Sequence, residues 1–192
     1  MWVNNRQALD FALEQFLSAP ADHQPEKTRK PFERKALGAQ ADLLLERLER
    51  WRQSGDEGAL ETIVSDALRN AGTDMVVASA EGDRGADLAV WSDVLQPFVG
   101  NPLIIEIKAR LLNKTSAKQA VEQLTSYLSS SGARWALLLY GEGPTSGGQL
   151  TGIAQPNVLV MSLRELLEAL RMRAFPEVIR DLRNERVHGV KS

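Results

Sequence analysis

The stretch "LIIEIKAR", Leu103 to Arg110, constrains the fold more than any other. Its apolar lead reads as a strand buried in a sheet. Glu106 and Lys108 nevertheless sit inside it. Side chains alternate across a strand, so residues two apart share a face. A carboxylate and an ammonium are therefore held side by side at the edge of a core. Burying charge is costly unless it is paired or binds a metal. The chain must build a sheet around this strand and give the pair a purpose.

The pattern on either side supplies that sheet. "ALETIVSDALRNAG" reads as a helix from about 58 to 71, stopped by Gly72, with Ile63, Val64, Ala67, Leu68 and Ala71 facing inward. "DMVVASA" and "ADLAVW" read as strands joined by the turn "EGDRG". A loop over 93–101 with Pro97 and Gly100 leads into "LIIEIKAR". "SAKQAVEQLTSYLSSSG" is a helix with Ala117, Ala120, Val121, Leu124 and Leu128 on its inner face. "RWALLLYG" and "NVLVMS" are further strands, and Ser162 caps the helix "LRELLEALRM". Pro176 suits the first turn of a last short helix ending near residue 184. The order α-β-β-β-α-β-β predicts an α/β fold, a mixed central sheet with helices on both faces.

Before this core, residues 5–17 read as an amphipathic helix, capped by Asn4 or Asn5, with Leu9, Ala12, Leu13, Phe16 and Leu17 in a stripe. "SAPADHQPEKTRKP" then reads as an exposed linker ending in a basic cluster of Lys27, Arg29, Lys30, Arg34 and Lys35. A helix over 33–53 carries Leu37, Ala41, Leu44, Leu48 and Trp51 at heptad spacing. That seam packs on the chain's own core or on a partner. The expected organisation is a helical extension with a Pro-rich basic linker (1–55), a core (56–162) and a helical cap (163–192).

Composition narrows the chemistry. The 192 residues contain no cysteine and only two histidines, His23 and His188. Disulfides, thiol catalysis, Cys-ligated zinc and histidine clusters drop out, and a reducing cytoplasm fits. The net charge of -2 gives nucleic acid no global attraction, so any binding needs a local basic patch. No apolar run approaches the roughly 18 residues of a membrane span. The start "MWVNNRQALDFALEQF" lacks the basic and apolar regions of a signal peptide.

Asp87, in "GADLAVW", points away from the face of Leu88 and Val90. If its strand pairs with "LIIEIKAR", Asp87 and Glu106 stand together. Two adjacent carboxylates repel unless a cation lies between them. Hard oxygen ligands without Cys or His suit Mg²⁺ or Mn²⁺. Lys108, on the Glu106 face, can then orient or deprotonate a water, or stabilise charge on a phosphate. Phosphodiester hydrolysis needs these parts.

Asp87, followed after eighteen residues by Glu106-Ile107-Lys108, resembles the PD-(D/E)XK, or restriction-endonuclease-like, nuclease superfamily. The resemblance covers about residues 57–161. It implies the restriction-endonuclease-like fold, with metal binding by Asp87, Glu106 and the Ile107 carbonyl and Lys108 as the catalytic lysine. "LETIVSDALRNAG" is similar to the acidic helix of Mrr-like restriction enzymes, which maps a further metal ligand to Glu61. Gln123 and Tyr127 resemble the Gln-xxx-Tyr signature of Mrr-like and RecB-like members, whose residues support the active site and contact DNA. Ala86 stands where the superfamily often has Pro, and Arg84 where Mrr-like members often have Gly. Arg84, Arg110, Lys114 and Lys118 either line a phosphate track beside the metal or serve as plain solubilising charge.

The expected function is a cytoplasmic, metal-dependent nuclease acting on DNA ahead of RNA, with a role in bacterial defence or restriction. A double-strand cut needs two active sites, so a homodimer through the 33–53 helix, or a place in a larger complex, is expected. One alternative is a catalytically idle or partner-gated subunit of the same fold that binds nucleic acid or a protein. Another rests on Arg183 and His188, with four residues between them, which resemble the Arg-x4-His signature of metal-free HEPN ribonucleases.

Overall fold

The computed structural model describes residues 35–78, 86–111, 113–143 and 155–189. Through them run α1 (Ala39–Ser54), α2 (Glu57–Asn70), β1 (Met75–Ala78), β2 (Leu88–Trp91), α3 (Gln96–Val99), β3 (Leu103–Arg110), α4 (Lys114–Ser131), β4 (Ala136–Glu142), β5 (Val158–Ser162), α5 (Leu163–Leu170) and α6 (Phe175–His188). The predicted helix over 5–17, the linker with Lys27, Arg29, Lys30 and Arg34, and the turn holding Arg84 lie outside the described residues.

The five strands form one sheet in the order β1-β2-β3-β4-β5, with the charged strand β3 at its centre. β1 and β2, and β2 and β3, are antiparallel; β3, β4 and β5 run parallel. Parallel neighbours need a crossover, and α4 supplies it between β3 and β4. The expected mixed sheet flanked by helices is therefore present.

Alternation along the strands splits the apolar residues between two cores. Leu103 and Ile105 of β3, Leu88 and Val90 of β2, and Leu137 and Leu139 of β4 join α1, α2, α5 and α6 on one face. Ile104, Ala89, Leu138 and Tyr140 join the inner stripe of α4 on the other. A fully buried Leu or Ile contributes roughly 1.5–3 kcal/mol, so these two faces carry most of the fold's stability.

The helix ends follow local chemistry. α4 begins two residues earlier than "SAKQ" suggests, because Asn113 and Ser116 close a capping box. Ser162 caps α5 as expected, reciprocally with Glu165. The loop predicted over 93–101 contains the short helix α3. α6 runs on to His188 rather than stopping near 184, and ends at Gly189 in the left-handed conformation.

Two expectations are corrected here. α1 begins at Ala39, after Gly38 at φ 54, and its seam does not face a partner: Leu37, Ala41, Leu44, Leu48 and Trp51 are all buried in the chain's own core. Ion pairs from Glu49 to Arg164 and Asp42 to Arg171 fasten the helix to α5 and the turn after it. The ribonuclease reading of Arg183 and His188 also finds no footing. α5 and α6 pack against the sheet rather than into a helical bundle, and the Arg183 guanidinium lies 5.7 Å from the Trp135 ring centroid. His188 is exposed at the helix end.

Candidate active site

β3 brings the acidic and basic groups to one place because its apolar residues are fixed. Ile105 is held in the larger core and Ile107 packs against it. Glu106 and Lys108 must then project to the opposite face, the one covered by α4. Leu88 pairs with Ile105 across the antiparallel β2–β3 ladder. One residue further along that register, Asp87 stands across from Glu106. The Ile107 N–H donates to Asp87 Oδ2 at 2.5 Å, which fixes that carboxylate against the middle of the Glu-Ile-Lys run.

Glu106 is only 3% exposed. Its ion pair is with Lys108, whose Nζ lies 2.6 Å from Oε1. The same Nζ lies 3.5 Å from Gln123 Oε1 on α4, at the outer limit of a hydrogen bond. Tyr127, one turn further along, is half-buried against the α4-side core. The expected cluster of Asp87, Glu106, Lys108 and Gln123 is thus assembled, with Tyr127 packed beside it.

The electrostatics are strained in one direction. Burial raises the Glu106 carboxyl above its ordinary range; the Lys108 hydrogen bond opposes this, and the charges of Asp87 and Glu61 add to it. Burial also raises Asp87, against the Ile107 N–H and the Lys108 charge. One buried and one half-buried carboxylate lie beside one ammonium, which leaves an excess of negative charge in a poorly solvated site. A hard divalent cation suits that donor set.

Glu61 is carried by α2. It lies on the exposed side of α2, which covers the other face of the sheet. Its charge is felt at Glu106. Among the described residues, however, no group of three or more His, Asp or Glu side chains is placed to hold a metal ion.

The remaining basic residues are surface groups. Arg110 follows Lys108 on the same face and pairs with Glu142 at 2.9 Å. Lys114 opens α4 and is exposed. Lys118 pairs loosely with Glu122 at 3.7 Å.

Two neighbours of the site escape a reading of the sequence. Tyr140 is opposite Lys108 and Ser162 in the parallel register and is almost completely buried. Burial and the Glu165 charge push its phenol up to about 12, against an opposing Ser162 hydrogen bond. Glu142 is opposite Arg110. Both depend on the β3–β4 register, which no spacing in the sequence encodes.

Comparison with known proteins gives a family match. The Mrr_cat family model, described as restriction endonuclease, matches residues 52–170, more than half of the chain. That span contains every candidate site residue from Glu61 to Tyr127. No curated protein and no solved structure gives a significant match. Among the described residues no helix is long and apolar enough to cross a membrane.

Proposed function

Because this chain belongs to the Mrr_cat restriction endonuclease family, we propose that it is a metal-dependent nuclease hydrolysing phosphodiester bonds in DNA, with Mg²⁺ or Mn²⁺ as its cofactor. The observation that carries the reading is the pairing of Asp87 with buried Glu106 beside a single ammonium, Lys108. Asp87, Glu106 and the Ile107 carbonyl would hold the ion. Glu61 contributes negative field to the site. When bound, the ion supplies Lewis-acid polarisation of a phosphate oxygen and a more acidic water.

The protein's own groups do the rest. Lys108 places a positive charge where negative charge develops on the phosphate, and takes part in orienting the attacking water. Gln123 restrains the lysine, and Tyr127 braces α4 against the sheet. Arg110, Lys114 and Lys118, with Arg84, contact the phosphate backbone, a sequence-independent form of binding that salt weakens. The catalytic unit spans 56–162, carried by the segment before it and the two helices after it. Family membership suggests a restriction or defence role. Cutting both strands calls for two copies, whose interface lies away from the α1 seam.

The test is a cleavage assay on the purified full chain. Supercoiled plasmid, linear duplex, single-stranded DNA and RNA are each incubated with Mg²⁺, Mn²⁺ or EDTA. The expected result is metal-dependent cleavage of DNA that falls at least about 100-fold in Glu106→Ala and in Lys108→Ala. Cleavage that survives EDTA or both substitutions contradicts the proposal. Metal binding without cleavage favours a subunit gated by a partner.

A further inference from the structure

Lys108 lies between two acceptors. Its Nζ makes a short ion pair with Glu106, 2.6 Å away, and a long contact with Gln123, 3.5 Å away. The first acceptor is a charged, buried carboxylate; the second is a neutral amide on the exposed side of α4. A lysine stem is flexible and its ammonium carries three donors, so both positions are within its reach. The Lys108 side chain keeps a third of its surface exposed, which leaves it room to move.

A buried carboxylate stays ionised only with a counter-charge beside it. Lys108 provides that charge to Glu106 as the chain stands. A divalent ion bound by the same carboxylate brings a second positive charge into the site, and two cations a few ångströms apart in a poorly screened site repel. One of them has to withdraw.

We propose that Lys108 is a two-position cation. It neutralises Glu106 in the metal-free protein, competes with the divalent ion for that carboxylate, and is received by Gln123 when the ion binds. This rests on the nuclease reading above and deepens it. Lys108 sets how tightly the metal is held, separately from any part in the chemistry. Gln123 is a positioning residue whose effect on metal affinity acts only through Lys108.

The account predicts a particular double-mutant cycle. Mg²⁺ and Mn²⁺ dissociation constants are measured by titration calorimetry on the full chain, for wild type, Lys108→Met, Gln123→Leu and the double variant. Lys108→Met tightens metal binding about tenfold, a coupling of the size seen between contacting charged groups. Gln123→Leu weakens it several-fold, because the withdrawn ammonium has lost its acceptor. The double variant behaves as Lys108→Met alone. Lys108→Gln serves as a second neutral variant if the methionine protein does not fold, and thermal melts confirm that each variant does.

Unchanged or weaker metal binding in both neutral variants overturns the proposal. So does a Gln123→Leu effect of equal size with and without Lys108. Failure of the underlying nuclease reading looks different: no metal binds the wild type, or binding persists undiminished in an Asp87→Asn, Glu106→Gln protein.

Discussion

Asp87 and Glu106 are acids that the fold holds above their ordinary titration range, chiefly by burial. Between the unfolded and the raised folded values, the metal-free native state binds more protons than the unfolded chain. Its stability therefore falls as pH rises through that window, and the full cost is present above it. Asp87→Asn removes one of the two charges while keeping an oxygen that can accept from the Ile107 N–H. In EDTA at pH 8 it should melt a few degrees above wild type. That advantage should shrink as pH falls and the wild-type carboxyl takes up its proton. Thermal melts across this pH range check it, and a variant less stable than wild type at pH 8 speaks against the charge argument. At this scale the sequence was informative. Alternation around Ile105 and Ile107 placed Glu106 and Lys108 on one face, and strand pairing placed Asp87 beside them. Helical spacing, by contrast, does not say which face of the sheet α2 covers, so the position of Glu61 relative to the pair was not legible.

The elements are locked to one another at a few tight points. Gly141 of β4 lies beneath Trp51 of α1. A Cβ built on it would come within 2.6 and 2.7 Å of the indole ring and 3.0 Å of the Ala109 carbonyl. Gly141→Ala should therefore destabilise the protein by roughly 1–3 kcal/mol through overpacking. Leu48→Ala, in the middle of the α1 seam, should cost roughly 2–5 kcal/mol. Denaturant unfolding measures both. A negligible effect of Leu48→Ala would place the seam outside the core. The seam also shows where sequence patterning stops being informative. A heptad spacing of 4, 3, 4, 3 serves a coiled-coil partner and a globular core equally well. What decides it here is the position of α5, whose Arg164 reaches Glu49. The same limit applies to Glu142 and Tyr140. Their proximity to Arg110 and Lys108 follows from the parallel β3–β4 register, and nothing in "RWALLLYG" announces it.

For the molecule as a whole, one core joins the sheet to helices on both sides of it in sequence. Leu44, Leu48 and Trp51 of α1 share it with Leu166, Leu167 and Leu170 of α5 and Phe175, Val178 and Ile179 of α6. A fragment limited to 56–162 keeps the proposed catalytic residues but loses these side chains. It should show no cooperative thermal transition, whereas a 35–189 fragment should retain one. Calorimetry on the two fragments distinguishes them. The measurement that bears most directly on the central claim is a crystal structure of the full chain grown with Mn²⁺, located by its anomalous scattering. The account predicts an anomalous peak bound by Asp87 and Glu106, close to the Ile107 carbonyl, with Lys108 moved from Glu106 towards Gln123. A peak elsewhere, or none at these carboxylates at saturating Mn²⁺, would contradict it.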